Sequence, residues 1–100
     1  MDAQFKKGTL EICVLSQLKH EDQYGYELTE QLSKDLDVTA GTLYLVLKRL
    51  KDNGYLDTYL QESPSGPARK YYHITSKGIT FFDKQKKDWL SFVEKVGKLI

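Results

Sequence analysis

The sequence predicts a mainly α fold with a small β-hairpin (α+β). Three observations carry this expectation. Apolar residues recur at helical spacing in four separate segments. Two stretches rich in Tyr, Leu, Thr and Ile flank the chain's one Pro/Gly/Ser cluster, Ser63-Pro64-Ser65-Gly66-Pro67. The last quarter repeats apolar residues at alternating steps of three and four. A chain of 100 residues with 40% hydrophobic content is one packed unit, burying roughly 60–70% of its unfolded surface.

Leu10, Val14 and Leu18, with Leu15 beside them, predict a first amphipathic helix over roughly residues 8–19. A second helix is expected after Asp22 as N-cap, running to about Lys34 with Leu28 and Leu32 on its inner face. The third is the best delimited: Thr39 caps it, Leu43, Val46, Leu47 and Leu50 form its apolar face, and Asn53-Gly54 stops it after about 14 residues. Tyr55–Gln61 and Arg69–Thr75 then read as two strands with a mobile tip between them. From Thr75 onward Ile79, Phe82, Lys86, Trp89, Val93, Val96 and Ile100 make a heptad seam on one long helix. Phe81, Leu90, Phe92 and Leu99 widen its apolar surface, and at 1.5 Å per residue the helix exceeds about 30 Å. So small a body cannot cover that surface, which makes a second copy the natural partner.

Composition narrows the function. Fifteen basic against fourteen acidic residues give a net charge of +1, so any basic surface must be local. The second half carries nine basic and six acidic residues, the first half six and eight. The single Cys13 excludes an internal disulfide and any Cys-x-x-Cys metal site, and no metal or cofactor is expected. No signal-peptide pattern or membrane-spanning run is present, so the reading is a cytoplasmic protein without a membrane partner. Cys13, His20 and His73 are the only nucleophile or base candidates of note. Nothing in their spacing orients them, and the expectation is that the chain is not an enzyme.

Three short helices followed by a hairpin is the order of a winged helix-turn-helix, whose third helix enters the DNA major groove. Residues 1–75 are assigned to that unit and residues 76–100 to a C-terminal dimerisation helix. Once its apolar face is removed, the third helix offers Ala40, Gly41, Thr42, Tyr44, Leu45, Lys48, Arg49 and Lys51. Thr42 and Tyr44 can bond phosphates or base edges, Lys48 can meet phosphate or guanine, and Thr39-Ala40-Gly41 let the helix start approach closely. Arg69 and Lys70, just after the Pro/Gly cluster, add charge for an adjacent phosphate. Tyr24 and Tyr26 are each either a core aromatic or a backbone contact.

Tyr24-Gly25-Tyr26-Glu27-Leu28, Gly41-Thr42-Leu43-Tyr44 with Lys48-Arg49-Leu50, Gly54-Tyr55-Leu56, and Arg69-Lys70-Tyr71-Tyr72-His73-Ile74-Thr75 with Gly78 occur in that order. Together they resemble the PadR family of transcriptional regulators over residues 8 to about 95. The resemblance implies a winged helix-turn-helix that dimerises through its last helix and represses from a pseudo-palindromic operator in double-stranded DNA. It also implies that a small aromatic or cationic effector releases the DNA in some members, by stacking on a tryptophan at the dimer interface. Trp89 matches that position, with Lys86 and Val93 as further ligand candidates. Ile79, Phe82, Trp89, Val93, Val96 and Ile100 are the interface candidates. Leu45 stands where the family commonly has proline, and either changes the local helix geometry or contacts a thymine methyl group. The competing reading is a winged-helix adaptor that binds protein and not DNA.

Overall fold

The computed structural model describes residues 3–100, with side chains from Gly8 onward. Its elements are α1 (Ala3–His20), β1 (Gln23–Tyr24), α2 (Gly25–Leu36), α3 (Ala40–Asp52), β2 (Leu56–Ser63), β3 (Gly66–Ile74) and α4 (Ser76–Leu99). The three strands form an antiparallel sheet in the order β1-β3-β2. The fold class is therefore the expected α+β one, with one strand more than the hairpin.

Leu10, Val14, Leu15 and Leu18 of α1 meet Leu28 and Leu32 of α2, and Leu43, Val46, Leu47 and Leu50 of α3, in one core. Leu56, Tyr72 and Ile74 close it from the sheet and Phe82 from α4. The leucine spacing that predicted the helices is thus also the spacing that fills the centre.

The start of α2 differs from expectation. Asp22 does not cap it: Tyr24 occupies the N-cap position in extended conformation, with no side-chain cap bond. The intervening residues are committed to β1 instead, pairing Gln23 with Tyr72 and Tyr24 with Tyr71. Asp22 turns to the sheet, where its carboxylate accepts from Tyr59 Oη and lies within hydrogen-bond distance of His73 Nδ1, both at 2.7 Å. Gly25 is required by the same pairing, since a Cβ there would lie 2.6 Å from Tyr72 Cε2. The helix ends at Leu36, with Asp37 left-handed at φ 53° and its N–H donating to the Ser33 carbonyl.

Three residues then turn the chain into α3, where Thr39 Oγ1 accepts from the Thr42 N–H at 3.2 Å. Gly54, at φ 80°, follows the helix end. The hairpin is longer than its sequence suggests. Ser63 pairs with Gly66, leaving only Pro64 and Ser65 in the turn. Arg69 and Lys70 consequently lie within β3, opposite Gln61 and Leu60, and not at a mobile tip.

Thr75 caps α4 by accepting from the Gly78 N–H at 3.0 Å. Lys19 of α1 pairs with Asp83 at 2.9 Å and Thr9 with Trp89 at 3.1 Å, so the two helices run antiparallel. Phe82 is only 3% exposed and belongs to the chain's own core, flanked by the ammonium groups of Lys19 and Lys86. It is thereby removed from the surface a second copy could meet, whereas Ile79, Trp89, Val93 and Ile100 are exposed and Val96 is half-buried.

Candidate nucleic-acid interface

Burying Leu43, Val46, Leu47 and Leu50 fixes the rotation of α3 and turns Gly41, Thr42, Tyr44, Leu45, Lys48, Lys51 and Asp52 outward. At its start, Thr39 and Thr42 hydroxyls bond each other at 2.8 Å, and a Cβ on Gly41 would meet nothing within 4 Å. Ala40 is half-buried. Lys48 sits one turn from Tyr44, its ammonium 3.1 Å from Asp52 on the exposed surface.

A groove of about 330 Å³ separates α3 from the start of α2 and the hairpin, lined by Tyr24, Gly25, Tyr26, Tyr44, Ala68, Lys70 and Tyr72. Three of the expected residues, Tyr24, Tyr44 and Lys70, are thus brought together from three elements. Tyr26, the other tyrosine expected as a core aromatic or backbone contact, joins them, and Ala68 and Tyr72 do so unforeseen, although two-residue alternation through Ala68, Lys70 and Tyr72 already places these on one face of a strand. Burial, then the nearby Tyr44, pushes the Tyr72 hydroxyl above its ordinary pKa, so that it remains a neutral hydrogen-bonding group.

The alternation that aims Lys70 into the groove sends Arg69 to the other face of the sheet. There the guanidinium lies 5.1 Å over the Tyr24 ring and 3.8 Å from Glu27. Tyr26, Tyr24, Tyr71 and Tyr59 continue as a ladder of rings with successive centroids 6.0, 6.0 and 5.7 Å apart. Arg69 thus packs on Tyr24, itself a residue of the groove, whereas Lys70 lines the groove directly.

Residues 14–84 match the model of the transcriptional regulator PadR-like family. The chain belongs to that family. A Streptococcus transcriptional regulator is 32% identical, with a TM-score of 0.87 over 98% of both chains. A PadR-like transcriptional regulator from Bacillus cereus strain ATCC 14579 is 37% identical, with a TM-score of 0.83 over 97% of this chain and 96% of that one. A protein of Lysinibacillus sphaericus described as uncharacterized is 30% identical over 88% of this chain and 84% of its own length.

This PadR-like chain has a second concave site, between α1 and α4. Its volume is about 560 Å³, and Thr9, Ile12, Asp88, Trp89, Phe92, Val93 and Val96 are among the lining residues. Trp89 is 38% exposed and its indole N–H donates to Thr9 Oγ1, which fixes the ring across the cavity wall. Val93 lies where expected. Lys86 does not line the cavity: its ammonium rests 5.9 Å from the Phe82 ring centroid, and Gln85 and Asp88 supply the polar groups instead. Among the described residues no three His, Cys, Asp or Glu side chains are grouped to hold a metal ion, and no helix is long and apolar enough to cross a membrane. Burial raises the Cys13 thiol above its ordinary pKa, which disfavours the nucleophilic thiolate.

Proposed function

We propose that this PadR-like chain is a cytoplasmic repressor that binds double-stranded DNA as a homodimer. The observation that carries the reading is the groove in which Tyr24, Tyr44 and Lys70 converge beside the outward face of α3. The Tyr44 hydroxyl and the Lys70 ammonium along one edge of a major-groove helix suit phosphate oxygens beside the bases that helix reads. Thr39, Ala40, Gly41 and Thr42 allow the helix start to come close, and Lys48 adds a contact one turn on.

Dimerisation through α4 is supported by the apolar surface left open at Ile79, Trp89, Leu90, Phe92, Val93 and Ile100. Pairing two copies there sets their α3 helices about 34 Å apart, one DNA turn, on a pseudo-palindrome near a promoter. The cavity beside Trp89 then lies at the junction of the copies. A planar aromatic cation there would stack on the indole and find a carboxylate at Asp88. Such an effector releases DNA only if it binds the DNA-incompatible arrangement of the subunits more tightly.

The test is selection of random duplex DNA by the purified protein at near-physiological salt, with sequencing of the retained pool. An inverted repeat with half-sites one turn apart is expected, and Tyr44→Ala with Lys48→Ala should abolish the enrichment while leaving folding and dimerisation intact. No enrichment by the unsubstituted protein would overturn the reading in favour of an adaptor.

A further inference from the structure

We propose that Leu45 determines operator specificity by reading the C5-methyl group of a thymine. The inference rests on the DNA-binding reading above and assigns one base contact within it. Leu45 is 64% exposed, whereas the other leucines and the valine of α3 are 3% exposed or less. It belongs neither to the core nor to the half-buried apolar residues packed against it. Helix α3 runs unbroken from Ala40 to Asp52 through this position, so an altered helix geometry does not account for the residue.

Its neighbours define what it meets. One turn back stand Gly41, with open space around it, and Thr42, whose hydroxyl is engaged with Thr39. One turn forward stands Lys48, and Tyr44 lines the groove beside it. Leu45 is thus the centre of the surface that enters the major groove, and the one large side chain there without a hydrogen-bonding group. Placed against guanine, cytosine or adenine edges it would strip water from donors and acceptors without replacing the lost bonds. Of the groups the four bases display in that groove, the thymine methyl is the one apolar group larger than a hydrogen atom.

Deoxyuridine differs from thymidine by that methyl alone. Each thymine of the selected operator is therefore replaced in turn by deoxyuridine, and affinity is measured for the unsubstituted protein and for Leu45→Ala. One thymine per half-site is expected to matter, its replacement weakening binding about fourfold, the value of one buried methyl group. Leu45→Ala should weaken binding to the thymine operator and lose sensitivity to that replacement, the signature of a direct coupling. Lys48→Ala should weaken both operators alike and keep it. Binding of the operator with no thymine sensitive to replacement would overturn the inference while leaving the DNA-binding reading standing. So would a sensitivity that Leu45→Ala retains undiminished. Failure to select any operator would instead remove the DNA-binding reading itself, and this inference with it.

Discussion

Gly78 has no room for a side chain, because a Cβ there would overlap the carbonyl oxygen of Tyr55. That carbonyl accepts from the Thr75 N–H at 3.1 Å, while Thr75 Oγ1 donates to the Gly54 carbonyl and Lys77 Nζ to that of Asn53, both at 2.8 Å. The Tyr55 ring stacks on Phe81 with centroids 4.1 Å apart. The end of α3 is therefore joined to the first turn of α4. A displacement of α4 at a subunit interface would reach α3 through a connection too tightly packed to deform gradually.

Gly78→Ala should accordingly cost about 3 kcal/mol, the upper part of the range for overpacking, because the obstacle is backbone. For a chain of this size that lowers Tm by more than about 10 °C at fixed protein concentration. Gly41→Ala, with open space around it, should melt within a few degrees of the unsubstituted protein. Equal melting of the two variants would show that the joint accommodates a methyl group.

The sequence carried the helices because each buries one regular stripe: Leu43, Val46, Leu47 and Leu50 are legible at 3.6-residue spacing and occupy the core as expected. Thr39 and Thr75 were legible as caps for the same reason, being short hydroxyl side chains ahead of such stripes. Strand β1 was not, since two residues have no period. Missing it misplaced Asp22 as a cap and hid its bonds to residues 37 and 51 positions away. Arg69 and Lys70 show the same limit in the candidate site. Adjacent charges look alike in a sequence, but the pleat sends them to opposite faces, and only the partner strands reveal which face is the groove.

That opposition can be measured. Lys70→Ala should reduce operator affinity across all sequences and lower the salt dependence by about one ion per protomer. Arg69→Ala should leave the salt dependence nearly unchanged and act on stability, through the lost packing on Tyr24. Equal salt slopes for the two variants would mean that the hairpin presents both charges to DNA.

Asp22 predicts a pH dependence. Its partial burial favours the neutral acid, but the hydrogen bonds with His73 and Tyr59, and the charge of His73, outweigh this and hold the carboxyl below its ordinary pKa. A carboxylate whose pKa is lowered by folding stabilises the fold above its unfolded pKa of about 3.9, and that contribution disappears as pH falls through the folded value. The margin in Tm between the unsubstituted protein and Asp22→Asn should therefore be full at pH 6 and vanish below the carboxylate range. The bond to Asp22, with a smaller effect of burial, raises the Tyr59 phenol. In Asp22→Asn its spectrophotometric titration should move down toward the ordinary tyrosine value of about 10. An unshifted tyrosine titration would mean that the contact does not persist in solution.

Trp89 offers a direct test of the α1–α4 cavity, because it is the only tryptophan and its emission needs no label. An acridinium cation added to the protein should quench that emission saturably, with the ring stacked on the indole and its charge near Asp88. Trp89→Ala should weaken the dye's affinity, followed by its own anisotropy, at least tenfold, about 1.4 kcal/mol. Asp88→Asn should weaken it less for the cation and not at all for an uncharged aromatic of the same shape. Thr9→Val removes the acceptor of the indole N–H bond and should loosen the ring, seen as a lower Trp89 anisotropy, without removing the stacking surface. A dye bound equally well by the protein and by Trp89→Ala would place its site elsewhere. If dye binding depends on Trp89 but operator affinity is unchanged at saturating dye, the cavity binds without differential affinity for the two subunit arrangements and cannot serve as a switch.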